Sequence, residues 1–367
     1  MRICVLCRSW LHHSTSGGME MQLYFLIKEL CKLNNIFYLI TTPSNIDTFR
    51  EKIDGLNVIE IPNCPSGQYS NTYFYESTKI VNTLKDKIDL LYYVSGGGGC
   101  SGHKIVSGSV IDIFKNRIPS VITLHNGCDG QESHFIDIFK HVNGVVFSHK
   151  QALISTYKIN NAPVNKVYIP TTSDCDFSKL KNIREKYNIS DNLIITFIAS
   201  KISLNNKGFD LFVNITENLN KNVTFFIVGD CDKSTIDKYK KENLIFTGKI
   251  ENNEVKNILF SSDYYLTPTD WKTKGFDGTI SEALLAGTRV IATKSEIGEK
   301  TLKADNKSLW YFNKNEYIKK TIDLILNNKT EKDPKNSISL AKHFTTQTTM
   351  KQYLYFFQLT VNSWQKK

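Results

Sequence analysis

The stretch YYLTPTDWKTKGFDGTISEALLAGTRVIAT, residues 264–293, decides the fold. It passes from a short β-rich apolar run, Tyr264–Leu266, through a glycine-containing loop into a helical pattern, and leaves by a second apolar run, Arg289–Ala292. Strand, loop, helix, strand is the unit that joins parallel neighbours, and strands buried on both faces read as continuous apolar runs. The same alternation extends in both directions. Upstream it predicts strands at Arg2–Cys7, Phe37–Thr41, Asn57–Ile61, Leu90–Val94, Ser120–Leu124, Gly144–Phe147 and Lys166–Ile169. A second series holds Leu193–Ala199, Val223–Val228, Leu244–Phe246, the two runs already named, and Leu309–Tyr311. Amphipathic segments such as Gly208–Asn220 and Tyr317–Leu326 lie between them. The reading is α/β, with two Rossmann-like domains facing a central cleft.

A chain of 367 residues suits two domains of roughly 150 residues or a little more. The proline and the Thr, Ser and Asp of Ile169–Phe177 supply turn chemistry for a joint. Domains are therefore expected at 1–169 and 170–344. Residues 345–367 are expected to form a C-terminal helix that packs back across the domains. Hydrophobic residues at 41% and charged residues at 22% describe a globular chain, and no apolar run reaches the roughly 18 residues that span a bilayer. The opening MRICVLCRSWLHH is too interrupted for a secretory signal, so the expected compartment is the cytoplasm, where the eight cysteines would be reduced thiols. The net charge of +10 suits an anionic partner, but it is diffuse, and no dense basic block of the nucleic-acid-binding kind occurs.

Four loops after predicted strands carry candidate chemistry. Gly17 and Gly18 stand where the first strand gives way to a helix, and free N–H groups at a helix start attract anions. Gly96–Gly99, with Cys100, Ser101, Gly102 and His103 after them, imitates a phosphate loop but places His103 where the lysine belongs, which excludes a nucleotide triphosphatase. Gly98, Gly99 and His103 are read instead as an acceptor-side loop that lies close to a ligand or moves. Lys201 and Lys207 flank the start of the next unit's first helix, where two cations and N–H groups could neutralise a diphosphate without metal, although solvated surface lysines would look the same. In the stretch quoted first, Lys274, Gly275, Phe276, Asp277, Gly278 and Thr279 lead to Glu282. That carboxylate could accept both hydroxyls of a ribose, while N–H groups around Asp277–Thr279 face phosphate or sugar.

Taken in order along the chain, these segments resemble family 4 glycosyltransferases of the GT-B fold, enzymes that transfer a sugar from a nucleotide donor with retention at the anomeric carbon. The resemblance spans nearly the whole chain. It rests on Gly17-Gly18-x-Glu20, the strand Val121–Leu124 ending at His125, the segment Phe197–Phe209, Phe225–Asp230, Phe246–Lys249, Leu266–Thr269 and Glu282–Thr293. It implies that Lys201 and Lys207 hold the donor diphosphate and stabilise the leaving group, that Glu282 binds the ribose, and that Gly17 and Gly18 lie near acceptor and phosphates. It implies that His125 sits beside the reacting sugar. The donor is then a co-substrate, a UDP-sugar ahead of a GDP-sugar, with no metal or other cofactor. The resemblance further implies that 1–169 is the acceptor side and 170–344 the donor side, and that the acceptor is a lipid-linked glycan in bacterial O-antigen, lipopolysaccharide or capsule synthesis, met with peripheral contact at the inner membrane face.

Three positions depart from the family pattern. Lys274 stands where the first glutamate of Glu-x7-Glu is expected, Lys201 replaces an arginine and loses its fork geometry, and Thr171-Thr172 follow the linker proline in place of Asn-Gly. A cation at 274 could pair with an acidic donor sugar or a phosphate, Asp277 could take over the hydroxyl contacts, or Lys274 could point to solvent. Two other readings compete. Asp174-x-Asp176 and Asp230-x-Asp232 could bridge a divalent cation to a diphosphate in a metal-dependent transferase, and the missing glutamate would suit a nucleotide-sugar-binding protein without transfer. Cys4-x-x-Cys7 has no second pair, and residues three apart on a strand face opposite ways, which argues against a metal or dithiol site.

Overall fold

The computed structural model describes residues 1–10, 18–43, 52–65, 70–95, 110–124, 139–148, 165–170, 179–204, 207–219, 222–269, 278–327 and 332–366. The chain divides into two compact units, Met1–Thr172 with Thr346–Lys367, and Ser173–Thr345.

The first unit is built on β1 (Arg2–Leu6), α1 (Gly18–Lys32), β2 (Ile36–Thr41), β3 (Leu56–Glu60), α2 (Asn71–Leu84), β4 (Leu90–Ser95), α3 (Val110–Phe114), β5 (Ser120–Leu124), β6 (Gly144–Phe147) and β7 (Asn165–Tyr168). Its seven strands are parallel in the order β3-β2-β1-β4-β5-β6-β7. The period-two geometry of β1 shows how the core is shared. Ile3, Val5 and Cys7 enter one apolar cluster, with α1 and the C-terminal helix, while Cys4 and Leu6 enter the other, with α2 and α3. Cys4 and Cys7 thus lie on opposite faces of the sheet, and burial pushes both thiols up to about 12.

The second unit continues with β8 (Leu193–Ile202), α4 (Phe209–Asn218), β9 (Val223–Cys231), α5 (Lys233–Tyr239), β10 (Leu244–Gly248), α6 (Asn252–Ser261), β11 (Tyr264–Thr267), α7 (Gly278–Leu285), β12 (Arg289–Thr293), α8 (Glu296–Thr301), β13 (Leu309–Phe312), α9 (Tyr317–Asn327) and α10 (Pro334–Ala341). Six parallel strands follow the order β10-β9-β8-β11-β12-β13. An aromatic layer of Phe197, Phe209, Phe212 and Phe225 packs α4 onto one face, and Tyr265, Ile280, Leu284 and Val290 pack α6 and α7 onto the other. The last helix, α11 (Thr346–Gln365), belongs to the first unit, where Met350, Tyr353, Phe356 and Phe357 bury against α1 and the sheet. Its Tyr353 and Phe357 rings close on Tyr92 of β4, whose hydroxyl pairs with Thr123 of β5 at 2.7 Å.

All thirteen strands read from the sequence are present, with small shifts at their ends. The largest shift matters for the site. The apolar run suggests a strand that stops at Ala199 with Lys201 in a loop, but β8 runs on to Ile202 because β9 continues beside it to Cys231.

Candidate functional site

In the second sheet the strand order reverses between β8 and β11, since β9 and β10 lie to one side and β12 and β13 to the other. In open parallel sheets such a reversal leaves a crevice at the carboxyl ends of the two diverging strands, because their loops turn away to opposite faces. Lys201 is the penultimate residue of β8 and the Lys207-Gly208 turn follows it, while Pro268, Thr269 and then Gly278 follow β11. The two loops are fastened to each other. The Thr269 hydroxyl donates to the Lys207 carbonyl at 3.2 Å. Gly208 has φ +74°, and a Cβ there would run into the Pro268 carbonyl, so only glycine permits this approach. Gly208 is also the N-cap of α4 and supplies no side-chain cap; its carbonyl takes the Leu211 N–H at 3.1 Å, and the N–H groups of Phe209 and Asp210 lead the helix ahead of it. At the start of α7 the Ser281 hydroxyl donates to the Gly278 carbonyl at 2.7 Å, and Thr279 and Glu282 are half-buried.

Lys201 owes its place to the way β8 and β9 end. The register slips between Ile198 and Lys201, after which Lys201 pairs with Asp230 and Ile202 with Cys231. Gly229 absorbs the slip at φ +137°, where a Cβ would collide with the Ala199 carbonyl. The exposed Lys201 side chain is therefore presented from a strand end beside a carboxylate rather than from a free loop. Asp232 is committed elsewhere: it caps α5, accepting from the Thr235 N–H at 2.8 Å, the Ser234 hydroxyl at 2.6 Å and the Thr235 hydroxyl at 3.0 Å. Those donors hold its carboxyl below the usual range. Asp174 and Asp176 lie outside the described residues. Among the described residues no three His, Cys, Asp or Glu side chains gather as metal ligands would.

The first sheet reverses between β1 and β4. The carboxyl end of β1 leads towards Gly18 at the start of α1, that of β4 leads into the segment with Gly98, Gly99 and His103, and β5, next to β4, stops at the residue before His125. Three of the motifs singled out in the sequence thus leave from neighbouring strand ends. Gly17, Gly98, Gly99, His103, His125, Lys274, Gly275, Phe276 and Asp277 themselves lie outside the described residues. A recess among described residues sits at the head of α1, where Met19 and Leu23 meet Tyr92, Pro170, Met350 and Tyr353.

Sequence reasoning did not single out Ser9, named Thr269 only within Leu266–Thr269, and named Asp230 only within Phe225–Asp230 and as one half of Asp230-x-Asp232. A Thr after Pro268 or an Asp after Gly229 carries no local mark of its partner, which lies tens of residues away. Glu20 was visible as part of Gly17-Gly18-x-Glu20, but not its environment: it is 4% exposed and accepts a hydrogen bond from Ser9, which is 1% exposed.

Residues 192–327, which hold all six strands of the second unit's sheet, match the sequence model of the family described as "Glycosyl transferases group 1". A protein from Klebsiella pneumoniae described as "Uncharacterized 41.2 kDa protein in cps region" is 32% identical over 87 residues, 23% of this chain and 24% of its own length. The matches span only about a quarter to a third of the length of the curated relatives. The fold likeness extends over nearly the whole chain. Sucrose-phosphate synthase from Thermosynechococcus elongatus superposes with TM-score 0.76 at 13% identity over 99% of both chains. Anabaena Alr3699/HepE in complex with UDP superposes with TM-score 0.71 at 17% identity over 97% of this chain and 99% of its own. The architecture is thereby that of GT-B glycosyltransferases.

Proposed function

We propose that this chain of GT-B fold, whose residues 192–327 match group 1 glycosyl transferases, is a retaining, metal-independent glycosyltransferase that moves a hexose-type sugar from a UDP-sugar to a glycan acceptor. The observation that carries the reading is the reversal between β8 and β11, whose adjoining ends carry Lys201, Lys207 and the start of α4 on one side and the Pro268-Thr269 segment that leads towards α7, with Glu282, on the other. Two cations and a helix start at one crevice suit a diphosphate, and a half-buried carboxylate on the next helix suits a ribose.

The chemistry follows from what such groups can do. A nucleoside diphosphate is already a competent leaving group, so the barrier lies in the charge that grows on it as the glycosidic bond breaks. Lys201, Lys207 and the α4 N–H groups act most strongly on that growing charge, which is the condition for raising turnover rather than only tightening binding. In this reading His125 serves the donor sugar, Gly17 and Gly18 serve the donor phosphates beside the acceptor, and Gly98, Gly99 and His103 serve the acceptor. The relative in a cps region and the diffuse positive charge support a lipid-linked acceptor in bacterial surface polysaccharide synthesis, met at the cytoplasmic membrane face. Among the described residues no helix is long and apolar enough to cross a membrane.

A donor screen tests this: purified protein with UDP-, GDP-, dTDP- and CMP-sugars, neutral and uronic, followed by nucleotide release with EDTA present. Release from a UDP-sugar despite the chelator is expected. Release that requires a divalent cation, or binding of every donor with release from none, refutes the reading. Turnover of a uronic donor alone would assign Lys274 to the sugar carboxylate.

A further inference from the structure

Left-handed backbone outside glycine falls almost entirely to one residue type in this chain. Among the described residues, five non-glycine positions have positive φ, and four of them, Asn34, Asn63, Asn188 and Asn306, are asparagines. Asparagine reaches that region at low cost because its short polar side chain bonds to nearby backbone. The fifth is Lys207 at φ +52°, followed directly by Gly208 at +74°. A lysine has no such local compensation, so the conformation persists only where its surroundings hold it.

The hold comes from the end of β11. The Thr269 hydroxyl donates to the Lys207 carbonyl at 3.2 Å, and Gly208 lies so close to Pro268 that a Cβ would stand 2.4 Å from its carbonyl oxygen. Thr269 is 5% exposed, and its hydroxyl stands 3.5 Å from that of Thr267, whose carbonyl accepts from the Thr293 hydroxyl of β12 at 3.4 Å. The clamp is thus anchored in the sheet. A trans peptide is planar, with C=O and N–H pointing opposite ways. Pinning the Lys207 carbonyl towards Thr269 therefore turns the Gly208 N–H away from the end of β11. Among the described residues, none accepts from the N–H groups of Gly208, Phe209 or Asp210.

The bland explanation is that a buried hydroxyl needs an acceptor and takes whichever carbonyl is in reach. That need accounts for the bond but not for a lysine at φ +52°, where asparagine or glycine would sit with less strain. What a lysine adds there is a cation at the reversal between β8 and β11.

We infer that Thr269 is a positioning residue: through its bond to the Lys207 carbonyl it fixes the Lys207-Gly208 peptide, so that the Lys207 ammonium and the Gly208 N–H are set for the donor diphosphate. This rests on the donor-site reading above. Thr269 touches neither substrate in this role. Its contribution is preorganisation, since groups already aimed need no reordering as charge grows on the leaving diphosphate.

The test compares wild type with Thr269→Val, which keeps the shape and removes the donor, Thr269→Ser, which restores it, Lys207→Ala, and the double variant Thr269→Val/Lys207→Ala. UDP titration calorimetry reads the site. Amide hydrogen exchange without ligand at Leu211 and Phe212, whose N–H groups both donate to the Gly208 carbonyl at 3.1 Å, reads the clamp. Thr269→Val should exchange there at least fivefold faster and bind UDP at least fivefold more weakly, with Thr269→Ser within twofold of wild type in both. The loss in the double variant should fall at least threefold short of the product of the two single losses, because the two residues act as one unit. Thr269→Ala takes the place of valine in each comparison should valine impair folding. Unchanged exchange overturns the clamp. Faster exchange with undiminished UDP affinity, or single losses that multiply in the double variant, overturns the positioning role. Failure of the donor-site reading looks different: wild type then binds no UDP, or Lys207→Ala binds it as wild type does, whatever Thr269→Val does to exchange, and the positioning role falls with it.

Discussion

Replacing Lys332 with methionine should change the pH dependence of stability in one direction and by a calculable amount. Lys332 precedes α10, and its ammonium donates to the carbonyls of Phe260 at 2.8 Å and Ser262 at 2.9 Å at the end of α6. Burial lowers its pKa from 10.5 to about 8, with Asp263 opposing the shift and Arg289 and Arg184 adding to it. Between those values the unfolded chain binds a proton that the folded chain does not, so stability rises with pH through the window from about 8 to 10.5. Integration gives a penalty of about 3 kcal/mol at pH 7 that falls below about 1 kcal/mol at pH 10. Methionine keeps the apolar stem and cannot titrate. The two lost carbonyl bonds enter as a constant offset, and the tyrosines and cysteines, common to both proteins, cancel in the difference. Wild type should therefore gain about 2.5 kcal/mol on Lys332→Met between pH 7 and pH 10. Urea unfolding followed by circular dichroism at pH 7, 8, 9 and 10 measures it. A difference that is flat, or that falls as pH rises, refutes the reasoning.

Further expectations follow from the site and the core. Lys201→Ala and Lys207→Ala should each weaken UDP binding by about tenfold or more, the loss of one charge-assisted contact, and the loss should shrink at high salt, as titration calorimetry at two ionic strengths would reveal. Gly229→Ala should cost about 1–3 kcal/mol for its φ alone, more as β9 withdraws from the Ala199 carbonyl, and should weaken UDP binding because Lys201 loses its strand partner; an unchanged urea midpoint would contradict this. Cys4 and Cys7, with thiols pushed up to about 12, should escape a maleimide at pH 8 until the first unit unfolds, and mass spectrometry of native and denatured digests separates the two cases.

The readability of the site varied with how local its causes are. The Lys207-Gly208 pair was visible because a glycine before a helical pattern marks a turn, and the left-handed φ values of +52° and +74° are what that turn uses. Lys201 was visible as a charge but misplaced in a loop, since the extension of β8 depends on β9 bending at Gly229, 28 residues downstream. Asp230 and Asp232 looked like a pair in the sequence, yet Asp232 is drawn into capping α5, because three donors within three residues outbid a more distant partner. Ser9 carried no signal at all, for its role is set by a carboxylate eleven residues on.

The sequence by itself determined the thirteen strands and the class of fold. Parallel strands buried on both faces must be continuous apolar runs, and the glycines, prolines and small polar residues that end them are dictated by backbone sterics over a few residues. Strand order was decided only in the tertiary structure, and with it which loops become neighbours. Nothing in the local composition of β8 says that β11 rather than β10 will lie beside it, because that choice is made by which helices cover which face of the sheet. The return of α11 to the first unit, the burial of Lys332 and the closure of Ser9 on Glu20 belong to the same category. Each depends on the free energy of excluding water from surfaces that meet only once the chain has folded, which no window of sequence contains.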